Sequence, residues 1–217
     1  MCLIELRYHL IFASMLNIEN IYAVFASAIR DYHVFNDIEQ DYIQSSTLKE
    51  FEKIFHYKSW IDTVQWHTED EVRNPNISGE EIRYFKNKID KLNQERTNLV
   101  EQIDDMYLIH FSNVKVKSGA RLNTESLAWS LDRLSILALK IYHMQIEVNR
   151  ENLIEVNRIS YNQKLELLQN QRSDLVIAIQ QFIEELNEGS TVFKVYRQVK
   201  MYNDLDLNPV LRKTHGL

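Results

Sequence analysis

The chain has 217 residues, 25 Lys and Arg against 31 Asp and Glu, and a formal net charge of −6, which suits one domain and gives no electrostatic footprint for nucleic acid. Hydrophobic residues at 45% exclude a disordered chain, and 4 Gly with 2 Pro are too few for the turns of a β-sandwich or a doubly wound sheet. A single Cys excludes a disulfide framework and a four-Cys zinc site.

Residues 1–14 read as a leader outside the domain, which spans 15–217. The leader is apolar but interrupted by Glu5, Arg7 and His9, and the clean stretch from Leu10 to Leu16 falls far short of the roughly 20 residues that cross a bilayer. It lacks the basic start and the longer apolar middle of a signal peptide. A cytoplasmic protein with no membrane insertion is expected, and Met15 is an alternative start. Cys2 lies in this leader and is a poor nucleophile candidate.

Ile18, Ile21, Tyr22, Phe25, Ala28, Ile29 and Tyr32 keep helical spacing and give a first helix. Thr47 and Glu50 form a capping-box pattern that opens a second helix, running through Phe51, Ile54, Trp60, Ile61 and Val64 to about Val72. Pro75 and Gly79 end it. Ser78 and Glu81 form another capping box, followed by the heptad-like stripe Ile82, Phe85, Ile89, Leu92, Arg96, Leu99, Ile103, Met106 and His110. After Gly119, Asn123 or Thr124 caps a helix that is apolar nearly all round from Leu134 to Met144, the pattern of a central helix. A last stripe (Leu165, Leu168, Arg172, Leu175, Ile179, Phe182, Leu186) stops at Gly189. The basic, aromatic stretch from Val192 to Tyr202 reads as a short amphipathic helix with a solvated edge rather than a phosphate-binding surface.

At an offset of 76 residues the chain overlays itself. Trp66, His67, Glu71 and Val72 fall on Tyr142, His143, Glu147 and Val148, and the run from Arg96 to Val100 falls on the run from Arg172 to Val176. The repeats cover about 57–106 and 133–182. They predict a turn near Asn149 to Leu153, the alternative being one unbroken helix of about 60 residues from Thr124 to Glu188. The fold class is therefore all-α, with a four-helix-bundle-like core of two repeated αα-hairpins, an extra N-terminal helix and a short C-terminal helix.

Polar residues on the apolar faces are where chemistry would lie. His67 falls on the stripe of Trp60, Ile61 and Val64, and Arg96 and Arg172 occupy core-facing positions that need carboxylate partners. Glu69, Asp70, Glu71, Glu147 and Asp174 could supply them. One reading is an ion-pair network that fixes helix register. A second is a pocket with His67 and His143 as acid/base groups and Arg96 and Arg172 holding an anion. A metal site is disfavoured: no Glu-x-x-His occurs, and two guanidiniums would face the cation. Neither metal nor cofactor is expected. Ser160 and Ser173 have no neighbouring base, and no Gly-rich loop opens a helix.

Several long motifs carry a resemblance. They are Trp66-His67-x-Glu69-Asp70-x-x-Arg73-x-Pro75, Asn93-Gln94-x-Arg96-Thr97, Leu122-Asn123-Thr124-Glu125-Ser126, the run Asp132 to Met144, and Lys194-Val195-Tyr196-Arg197-Gln198 with Met201-Tyr202-Asn203-Asp204. From about residue 15 to Leu211 the chain resembles a bacterial family catalogued as domain of unknown function number 4254. Leu127 stands where that family pattern has Pro. The resemblance implies no particular activity. It does imply that His67, Glu69, Asp70, Arg73, Asn93, Arg96, Asn123, Glu125, Asp132, Arg133 and His143 belong to the family's characteristic motifs.

The candidate catalytic residues are thus His67, Asp70 and His143, and the candidate ligand-binding residues are Arg73, Asn93, Arg96, Arg133 and Arg172. The leading function is a binding or scaffold module built around a semi-buried His/Arg/carboxylate cluster, its partner a homodimer mate or another helical protein. The alternative is an enzyme on a phosphorylated or carboxylated small molecule, with His as proton carrier and Arg as anion clamp. A solvent-open pocket lined by both His and both Arg favours the enzyme, and a closed, paired cluster favours the scaffold.

Overall fold

The computed structural model describes residues 16–44, 46–199, 201 and 204–214, so the leader with Cys2, the Met15 start and Tyr202 with Asn203 lie outside the described residues. Helix α1 (Ile18–Tyr32) is capped by Asn17, whose side chain accepts from the Asn20 amide at 2.9 Å. Apart from the half-buried Tyr22, the apolar positions of the sequence pattern are buried along it, and Ile21, Phe25 and Ala28 are fully enclosed. The helix is therefore part of the core and not an addition outside it.

Helix α2 (Glu52–Val72) starts later than the Thr47/Glu50 pattern predicts. The carboxylate that folds back on the backbone is that of Glu52, which accepts from the Lys49 amide at 2.9 Å and from the Asn20 side chain at 3.1 Å. Glu50 instead pairs with Lys53 in solvent. Burial of Phe51 and Phe55 sets this register, because tertiary packing outweighs a local cap. Helix α3 (Gly79–Phe111) begins with the expected capping box, both arms formed between Ser78 and Glu81.

A two-residue strand, β1 (Arg121–Leu122), precedes α4 (Leu127–Val148), and α5 (Glu155–Asn187) is followed by β2 (Thr191–Val192), which pairs in parallel with β1. The cap of α4 is Ser126, not Asn123 or Thr124, and Asp104 of α3 also accepts from the Ala128 amide. Asn123 turns its side chain to the Glu125 carbonyl instead. The chain turns between α4 and α5, with Asn152 in the left-handed region at φ 61°, so the unbroken 60-residue helix is excluded. Residues 193–199 form no helix, contrary to the sequence pattern. Arg197 there pairs with Glu101 and Asp105 of α3, and the short C-terminal helix is α6 (Pro209–Thr214).

Helix α4 packs on α1, α2, α3 and α5, which explains why it is apolar nearly all round. Helix α2 pairs with α3, and α4 with α5, as adjacent hairpins. The core joins Phe25, Phe55, Val100, Tyr107, Leu131, Leu134, Ile179 and Phe182 from all five long helices. The two longest helices, α3 and α5, both join this core but are not among the extensively packed pairs. The seam between them over α4 holds a hollow bordered by Arg96 on one side and by Asp174 and Leu175 on the other.

No helix among the described residues is long and apolar enough to cross a membrane.

Candidate functional site

Two polar clusters lie inside this frame. The first is an ion-pair network between α2, α3 and α4. Lys58 is 1% exposed and places its ammonium 2.5 Å from Asp62 and 2.8 Å from Asp132. Arg96 grips Asp132 with two parallel hydrogen bonds, Nε to Oδ1 at 2.8 Å and Nη2 to Oδ2 at 2.5 Å, and its Nε lies 3.5 Å from Asp62. The Ser135 hydroxyl donates to Asp62 at 2.7 Å. Two cations thus meet two carboxylates, as burial requires. Burial pushes the Asp62 carboxyl up; at Asp132 burial acts the same way, but Lys58 and Arg96 outweigh it and hold the group below its ordinary value.

The second cluster is made of three imidazoles. His33 caps the end of α1, His67 sits on α2 and His143 on α4. The Nε2 atoms of His33 and His67 are 3.1 Å apart, and one nitrogen from each of the three rings lies within 4.8 Å of the others. Aromatic rings hold them: Tyr32 stacks on His67 with 5.2 Å between centroids, and Trp66 stacks on His143 at the same distance. Tyr142 lies against His33. His33 Nδ1 donates to the Ile29 carbonyl at 2.6 Å, which leaves its Nε2 as an acceptor for the His67 Nε2–H. His143 Nε2 is buried with no hydrogen-bond partner. Burial lowers all three imidazoles below their ordinary value, His143 to about 4, with the neighbouring rings adding to the effect at His67 and His143.

The structure brings His67 and His143 together as the sequence suggests but separates them from the guanidiniums. Arg96 belongs to the first cluster. Arg172 pairs with Glu19 of α1 and lies over the Tyr22 ring at 4.4 Å, where α1 packs against α5. Asp70 and Arg73 are exposed and pair with each other, Arg73 also facing Glu69. Arg133 pairs with Glu125 at the surface. Asn93 accepts from the Gln65 side chain at 2.9 Å, so it supports the α2–α3 contact. A cleft of about 320 Å³ does border Asp62, Asp70, Arg73 and Arg96, with Trp66 and Ile136 as its apolar wall.

Residues that matter most to both clusters escape the sequence reading. Lys58 and Asp62 continue the stripe Phe51, Phe55 at helical spacing, a legible signal, because charged residues on a buried face need each other. His33 lies four residues beyond Ile29 and so extends the α1 stripe by one position past Tyr32. Arg96 and Arg172, the two guanidiniums expected to face any cation there, are instead each neutralised by a carboxylate, of Asp132 and Glu19 respectively.

No curated protein and no solved structure matches the chain. A family model does, over residues 52–195, which span α2 to the segment after β2 and include His67, Arg96, Asp132 and His143, while His33 lies before the matched region. The chain belongs to the family described as Protein of unknown function (DUF4254).

Proposed function

We propose that the protein is a binding module that pairs with a second copy of itself, each copy laying the apolar face of α5 into the seam over α4 of the other. The observation that carries this reading is a cleft of about 680 Å³ along α4, walled by Trp129, Ile136, Leu137 and Leu175 and sharing Lys140 and Gln171 with a groove of about 420 Å³ that includes Trp66, Met144, Leu167 and Leu168. From Glu125 to Glu147 the two hollows follow α4 for roughly 30 Å at 1.5 Å per residue, the length of a helix rather than of a metabolite. The occupant is supported by α5 itself. None of its residues before Ile179 is buried, and Val156, Ile159 and Leu167 stand in solvent. Groove and helix face on one chain make a self-complementary pair under two-fold symmetry. The Lys58–Asp62–Arg96–Asp132 network fixes helix register within each copy. The hairpins of 21 and 33 and of 22 and 33 residues support an origin by duplication of one hairpin.

Light scattering on the purified chain is expected to give a dimer, and Leu168→Glu and Leu175→Glu a monomer with unchanged helical circular dichroism. A wild-type chain that stays monomeric at every concentration overturns the reading. Lys140 and Lys164, which form no ion pair among the described residues and flank the groove beside His143, favour a second reading, uptake of a carboxylated or phosphorylated small molecule. A thermal-shift screen with such compounds tests it.

A further inference from the structure

We propose that His33, His67 and His143 form a binding site for one divalent transition-metal ion of the zinc class. Three separate helices deliver the rings to one point, and among the described residues no carboxylate or thiolate joins the group. In tetrahedral zinc coordination with Zn–N of about 2.0–2.1 Å, two ligand nitrogens lie about 3.3–3.4 Å apart. The His33 and His67 Nε2 atoms, at 3.1 Å, already have nearly that spacing, and the third nitrogen stays within 4.8 Å; on binding, the ion replaces the His67 Nε2 proton, which moves to Nδ1 of the same ring. The Ile29 carbonyl fixes His33 with its Nε2 lone pair facing the cluster, the carbonyl-to-imidazole support that metal-ligating histidines carry. The second, independent observation is His143 Nε2, a buried polar atom that no protein group satisfies. A bound cation would accept its lone pair.

The donor set decides the class of ion. Three neutral imidazoles suit zinc, cobalt, nickel or copper and not the oxygen-seeking magnesium or calcium. Stacking by Tyr32 and Trp66 limits the rings to small rotations, so the site is held before the ion arrives. Three protein ligands leave a fourth position for water or a ligand, and the groove at His143 gives an approach to it. The site does not depend on self-association, because all its ligands come from one chain.

The test uses the full chain stripped with a chelator and titrated with cobalt(II) as a spectroscopic probe, then with zinc in competition. One equivalent of cobalt with the visible absorption of a four-coordinate, nitrogen-ligated ion, displaced by one equivalent of zinc, is the expected result. His33→Gln, His67→Gln and His143→Gln should each weaken binding on the order of 100-fold, whereas His110→Gln, outside the cluster, should leave it unchanged. Should a variant fail to fold, nitrogen-15 resonances of the wild-type imidazoles give the same answer: zinc must move those of all three rings. Absence of a stoichiometric ion, a six-coordinate spectrum only, or affinity unaffected by the three substitutions overturns the site and leaves an aromatic–imidazole packing cluster.

Discussion

Charge alone does not tell a functional side chain from a structural one; its partners do. Arg96 and Arg73 both border the same cleft, yet Arg96 is locked to Asp132 by two hydrogen bonds, while Arg73 stands two-thirds exposed beside Glu69 and Asp70. Removing the Asp132 carboxylate as Asp132→Asn strands Lys58 and Arg96 with one anion between them, and an uncompensated buried charge costs about 3–5 kcal/mol. Arg73→Ala removes only solvent-screened pairs worth about 0–1 kcal/mol. Chemical denaturation of the two variants should therefore differ by several-fold in stability loss, and equal losses would refute the assignment of Asp132 as the hub. Core-facing Arg96 was legible from its heptad position and its need for a carboxylate. Which carboxylate answered it was not, because Asp132 sits on α4, 36 residues away, where only tertiary packing decides the pairing.

Elements were legible where a local signal and the packing agree, and misread where packing overrules it. The Ser78 box and the α1 stripe hold because nothing competes with them. The Thr47 pattern yields to Glu52, and the Asn123 cap to Ser126, once Phe51, Phe55 and Asp104 have found their places in the core. The stops are equally instructive. Gly189 ends α5 at φ +68°, and a Cβ there would sit 2.3 Å from the Lys115 carbonyl oxygen, while the Lys117 amide donates to the Gly189 carbonyl at 2.8 Å. Gly119 has a comparable φ of +81° with open space around it. Gly119→Ala should cost only the left-handed penalty of about 1–2 kcal/mol. Gly189→Ala must in addition move backbone, so its loss of melting temperature should be clearly larger. Similar losses would mean that the segment around Lys115 shifts freely.

At the scale of the whole molecule, all-helical architecture, a central α4 and the meeting of His67 with His143 follow from the sequence pattern, but the hollow along α4 and the joining of His33 to the other two rings do not. Both depend on how the helices pack around α4 and on where the end of α1 lands. That arrangement also fixes how stability responds to acid. Burial lowers His33, His56, His67 and His143 below the usual value near 6.5, His143 to about 4; His56 is wholly enclosed between Tyr42 and Asp31, whose carboxylate only partly offsets its burial. As pH falls through about 6.5 the unfolded chain takes up protons at these rings while the folded chain resists. The unfolded state then binds more protons, so stability is full above that value and declines towards pH 4, where His143 finally protonates in the folded state. Asp62 and Asp104, both raised by burial, work in the opposite sense, but as two groups against four. With chelator present to keep the imidazoles metal-free, the melting temperature should fall between about pH 7 and pH 5, and His143→Gln should flatten that slope. A melting temperature that is constant or rises on acidification over this range would show that the rings are hydrated and that the cluster is not held closed by α1, α2 and α4.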